Sequence, residues 1–200
     1  MQSKTSTIAT LITNFENAKG NIDRKSVMEV SKKLNIYHKQ DASVLFDEHM
    51  VQRAGNNPKP RVIEVYKTFD KYGNLNDLRK EVIDYAKNNL VGKKIIIKDT
   101  NSTIEITNAG IKKTFSGRTV EEKLQTINKL EDIISEGIYF NTSYNIDDNT
   151  GIKFHHFLTP VKSYNKVGNT FIRIVIKEYT RDKNINDKFY YHQFEYIDNK

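Results

Sequence analysis

The 200-residue chain contains no cysteine. That excludes disulfides, thiolate zinc sites and cysteine nucleophiles, and it suits a reducing cytoplasm, the expected location. No apolar run approaches the ~20 residues that span a bilayer, so no membrane segment is expected. The first twenty residues (MQSKTSTIATLITNFENAKG) lack the basic start and continuous apolar run of a secretory signal. The G-x-S-x-G, Walker A, Rossmann glycine and H-E-x-x-H patterns are missing. Repeats and low-complexity tracts are missing too. The polar stretch NIDDNTG at 145–151 is too short and wrongly spaced for an EF-hand. Neither a metal nor a cofactor is expected.

What is present suits a soluble globular protein of one or two domains: 37% of residues are hydrophobic and 28% charged. The net charge of +7 favours a polyanionic partner. The cations are scattered along the chain, so a generally basic surface accounts for them equally well.

Helical spacing dominates the first ninety residues. Ile8, Leu11, Ile12 and Phe15 mark a helix over 4–18, ended by Gly20. Asp23 caps a second over 24–34, with Val27, Val30 and Leu34 on one face. A third covers 41–53, with Val44, Leu45 and Met50 inward. GNNPKP at 55–60 is the clearest break. Pro60 then opens a helix over 61–72, and Asn76 caps another over 77–90.

From Gly92 the period changes. Residues 93–98 and 102–107 read as a hairpin, and Asn108-Ala109-Gly110 as a further turn before a short basic stretch. Thr119 and Glu122 match a capping box ahead of the stripe Leu124, Ile127, Leu130, Ile133 and Ile134. A strand over 138–142 follows, then three long ones over 153–164, 168–179 and 188–197. In the second of these, Thr170, Ile172, Ile174 and Ile176 face one side and Phe171, Arg173, Val175 and Lys177 the other. The expected class is α+β: N-terminal helices, then a mainly antiparallel sheet with one inserted amphipathic helix. Residues 1–55 form a small helical segment without an assigned role, 56–92 a linker with helices, and 93–200 the sheet domain.

Candidate chemistry gathers in the last strands. His155 and His156 are neighbours on a strand and point to opposite faces, so at most one shares a face with His192. A histidine titrating near neutrality can serve as general acid or base; it also suits an exposed strand or a hydrogen-bonded core. Lys177 and Arg173 share a face and can hold a phosphate, or simply face solvent. Lys112, Lys113, Thr114, Ser116 and Arg118 make a basic, hydroxyl-bearing segment before the long helix. Tyr190, Tyr191, Phe194 and Tyr196 suit either base stacking or ordinary strand packing. Glu178 and Glu195 are candidate bases.

The order of these segments resembles nuclease-like domains of the barnase–EndoU–colicin–RelE superfamily, in the version found in polyvalent proteins of phages and conjugative elements. The matching stretches are AKNNLVGKKI, IEITNAGIKKTFS, EEKLQTINKLEDII, HHFLTPVK, VGNTFIRIVIKEY and YYHQFEYI. The resemblance implies an RNase-like fold over roughly the second half of the chain and RNA cleavage without metal. It implies His155 and His192 as the acid–base pair and Lys177 in the catalytic set. It carries Lys112 and Thr114 over from the earlier motif, and with them Lys113, Arg118 and Arg173, read from the basic segment and the strand face, complete the candidate RNA- or phosphate-binding residues. Tyr191 stands where the family more often has Asp. RNA, with tRNA as one candidate, and a host or immunity protein are the implied partners. The competing expectation is a non-catalytic, phage-encoded protein that inhibits a host defence system, as anti-CRISPR proteins do.

Overall fold

The computed structural model describes residues 44–45, 47–57, 60–117, 119–144, 152–165, 168, 170–179 and 188–197. The helices expected over 4–18 and 24–34 and the 145–151 stretch lie outside them. The described elements run β1 (Val44–Leu45), α1 (Glu48–Arg53), β2 (Ile63–Val65), α2 (Leu75–Asn89), β3 (Lys94–Ile97), β4 (Ser102–Ile106) and α3 (Asn108–Thr114). Next come α4 (Glu121–Gln125), a 3-10 turn (Thr126–Lys129), α5 (Leu130–Ser135), β5 (Ile138–Tyr144), β6 (Ile152–Ser163), β7 (Thr170–Tyr179) and β8 (Lys188–Ile197). The class is α+β.

One sheet organises the molecule, in the order β1-β5-β6-β7-β8-β4-β3, with β2 also on β6. The β5–β6–β7–β8 meander is antiparallel, because short connections reverse the chain. The β3–β4 hairpin joins it through a parallel β4–β8 pairing. One sheet face packs on the helices. There Ile172, Ile174 and Ile176 meet Phe157, Phe189, Tyr191 and Phe194, together with Leu78, Val82 and Ala86 of α2 and Met50 of α1. Each such apolar side chain taken from water contributes about 1.5–3 kcal/mol.

Several local readings need correction. Residues 41–53 do not form one helix: Val44 and Leu45 pair with β5, and α1 starts after Asp47, whose carboxylate accepts from the Met50 N–H. The span 61–72 is not helical. Ile63 and Val65 are buried around exposed Glu64 in a strand parallel to β6. Gln125 then holds the following loop, accepting from the N–H groups of Thr68 and Phe69, both at 2.9 Å. The cap of α2 is Asn74, not Asn76; its side-chain oxygen accepts from the N–H groups of Asn76 and Asp77.

The turn expected at 108–110 is the first turn of α3, capped by the Thr107 hydroxyl. Nor does the capping box form. The Thr119 hydroxyl accepts from Arg79 at 2.8 Å, and α4 begins at Glu121 without a side-chain cap. The expected single helix is broken by the 3-10 turn into α4 and α5, yet its whole apolar stripe from Leu124 to Ile134 is buried.

Candidate functional site

Strand alternation sorts the candidate residues between two faces. His155 lies on the core face with no exposed surface. Its Nδ1 is 2.8 Å from the Thr142 hydroxyl and its Nε2 2.8 Å from Glu178 Oε2. The Thr142 hydroxyl also meets that of Tyr139 at 2.7 Å. On the other side, Lys153 Nζ lies 3.8 Å from Glu178 and donates to Asp47 at 2.7 Å. Burial pushes the Glu178 carboxyl up, but the His155 hydrogen bond and the charges of His155 and Lys153 outweigh it and hold it low. His155 is therefore a member of a buried polar chain, closed to a substrate.

His192 occupies the opposite face, and a β-bulge puts it there. Ile176 pairs with Tyr191 and Val175 with Gln193, leaving His192 as the extra residue. The bulge lets Tyr191 and Phe194, three apart, both reach the core, and it turns His192 outward. The His192 ring stands 5.3 Å from that of Phe154, the residue beside His155 and therefore on the other face. The expected pairing of His155 with His192 does not form, because the sheet separates them. The histidine that shares the His192 face is His156, whose Nε2 meets the Ser143 hydroxyl at 2.9 Å.

Around His192 the fold assembles a basic, aromatic patch. Phe154, Lys177 and Tyr190 are aligned across β6, β7 and β8. Lys177 Nζ stands 6.0 Å from the centre of the Phe154 ring and 4.5 Å from that of Tyr179. The Tyr179 and Tyr190 rings meet edge to face at 5.7 Å. Lys113, exposed on α3, is close enough to act on His192 electrostatically. Partial burial, then the charges of Lys113 and Lys177, lower the His192 pKa. The imidazole is neutral at pH 7 and able to accept a proton, with two ammonium groups beside it for an anion.

Helix α3 is held in position by β8. The buried Thr114 hydroxyl bonds that of Tyr191 and the Gly110 carbonyl. Thr114 is thus a docking residue, not a phosphate ligand. Lys112 is exposed on the same helix. Arg173 is ion-paired with Glu195. Arg118 lies outside the described residues. Tyr179 continues the strand face of Lys177, as its alternation implied, and Phe154 completes the patch without having been singled out from sequence. The signal for the bulge was present: apolar residues at 189 and 191, then at 194 and 196, mark a phase slip of one residue.

An NMR titration should give His192 a pKa below 6.5, rising toward that value in Lys113→Ala and Lys177→Ala. An unchanged value in both variants would show that these cations do not act on it.

Among the described residues no cluster of His, Asp and Glu suits a metal ion, and no helix is long and apolar enough to cross a membrane. The sequence model of one family, described as large polyvalent protein-associated domain 3, matches residues 73–191. That span holds Lys113, Phe154, Lys177, Tyr179 and Tyr190 and stops one residue short of His192. The chain belongs to this family. No curated protein and no solved structure matches it.

Proposed function

We propose that this member of the large polyvalent protein-associated domain 3 family acts on RNA, as a metal-independent endoribonuclease centred on His192. The observation that carries the reading is the half-buried imidazole of His192, its pKa lowered by burial and by Lys113 and Lys177. Neutral His192 takes the proton from a ribose 2′-hydroxyl. The oxygen attacks the adjacent phosphorus and the bond to the 5′-oxygen breaks, leaving a 2′,3′-cyclic phosphate. The Lys177 ammonium gives the departing oxygen its proton, and Lys113 balances the charge that grows on the phosphate. DNA lacks the 2′-hydroxyl and is not cut. The polyvalent-protein context supports an origin in a phage or conjugative element.

The test is incubation of wild type and His192→Ala with labelled tRNA and total RNA in EDTA, reading fragment ends. Wild-type cleavage to 2′,3′-cyclic ends, slowed about 100-fold or more in the variant, is the expected result. Cleavage unchanged in His192→Ala would remove His192 from the reaction. The enclosure of His155, the second histidine of the expected pair, favours one alternative: an RNA-binding face without turnover. Folded wild type that binds RNA but does not cut it would establish that alternative. Wild type that does neither would turn the search to a host protein, by pull-down.

A further inference from the structure

We propose that Tyr179 and Tyr190 form a stacking platform for an unpaired RNA base, one nucleotide from the phosphate held by Lys177. The inference rests on the RNA reading and adds a substrate requirement to it. Of the aromatics in β8, Phe189, Tyr191 and Phe194 are buried in the core. Tyr190 is not, and its partner Tyr179, at the end of β7, is 45% exposed. Core packing therefore explains the first three and also Tyr196, which packs against the core with its hydroxyl 2.6 Å from that of Thr126, and leaves the Tyr179–Tyr190 pair over.

The pair sits where a base would fall. Tyr190 is the cross-strand neighbour of Lys177, and Tyr179 is two residues further along the same face of β7. In the free protein the Lys177 ammonium lies over the Tyr179 ring, 4.5 Å from its centre. A solvent-exposed cation–π contact is weak and is easily exchanged for a phosphate. When the ammonium turns to the phosphate, it uncovers the ring face that a base can take. On the other side of Tyr190 the cross-strand neighbour is Glu105, which repels phosphate, so the backbone is favoured on the Lys177 side. Stacking is indifferent to base identity, because every base has a π-face, but it requires the base to be unpaired. The site therefore selects single-stranded over duplex RNA, with little sequence preference.

The experiment measures binding of the full chain to a 2′-O-methyl oligonucleotide, which lacks the attacking hydroxyl and cannot be cut. Fluorescence anisotropy compares the single strand with its duplex for wild type, Tyr179→Phe, Tyr179→Ala and the distant control Tyr164→Ala. The expected result is preference for the single strand, retained in Tyr179→Phe and Tyr164→Ala and weakened about tenfold in Tyr179→Ala. Wild-type affinity in Tyr179→Ala, or equal affinity for the duplex, overturns the platform and leaves the RNA reading standing. No binding of either probe by folded wild type overturns both.

Discussion

Gly110→Ala is expected to destabilise the protein by about 3 kcal/mol, far more than one added methyl usually does. A Cβ at this position would lie 2.2 Å from the Tyr191 carbonyl oxygen and 2.8 Å from the Tyr191 ring. The nearest atom is a backbone carbonyl oxygen, so relief requires a backbone shift rather than a rotamer change. For a chain of this size the loss corresponds to a fall in Tm of ~6–12 °C. Gly73→Ala is the control, since its Cβ would meet only the Asp77 carboxylate at 3.3 Å. Equal melting temperatures for wild type and Gly110→Ala would show that α3 is not seated on β8 as described. The shift also carries Lys113 away from His192, so the histidine pKa in the variant should move up, toward its ordinary value.

Cutting the buried polar chain should cost at least as much. Glu178→Leu leaves the fully buried His155 Nε2 facing an apolar wall while Lys153 keeps Asp47, and removal of one partner from a buried ion pair costs about 3–5 kcal/mol. Adding His155→Leu removes the stranded imidazole and should recover part of the loss. A double variant no more stable than Glu178→Leu alone would show that the two groups are not coupled. The same chain sets an acid dependence. The Glu178 carboxyl is held below its ordinary value of 4.5, so the folded state binds this proton less tightly than the unfolded chain. Its contribution is complete above the unfolded pKa and is lost as pH falls through the folded one. Urea unfolding of wild type should therefore weaken below about pH 4.5, and Glu178→Leu should show a shallower fall over that range. Parallel curves would exclude Glu178 as a source of the acid sensitivity.

Much of the sheet was readable in the sequence because period-two alternation has few competitors. The isoleucines of β7 mark the face that packs on the helices, although Phe171 and Val175 opposite are buried too, and the β3–β4 hairpin followed from its turn. What misled was local chemistry that a distant group pre-empted. Thr119 and Glu122 have capping-box spacing, but Arg79 takes the Thr119 hydroxyl. Val62, Val65, Tyr66 and Phe69 fit a helical spacing, but the open edge of β6 beyond β5 offers a parallel partner to Ile63–Val65. For the site, sequence named His192, Lys177 and Lys113, and the fold gathers them. Alternation showed that His155 and His156 must part company. Which of them joins His192 depends on which face the helices cover, and that is a tertiary fact. The charges of Asp47, Lys153 and Glu178 on the core side made His155 a bonded core residue and left His156 on the face of His192.

The position of β8 has a consequence for how the protein is made. It lies between β7 and β4, and it is the last of the described strands in sequence. Among the described residues, the hairpin and the meander share no strand pairing until residues 188–197 arrive. Ile104 must then wait for Phe189, some 85 residues later, a closure that favours slow and late folding. Every earlier nascent chain lacks the strand that seats α3 and carries the bulged histidine. On the proposed reading, the translating ribosome, itself built of RNA, meets the cluster only after synthesis of that strand.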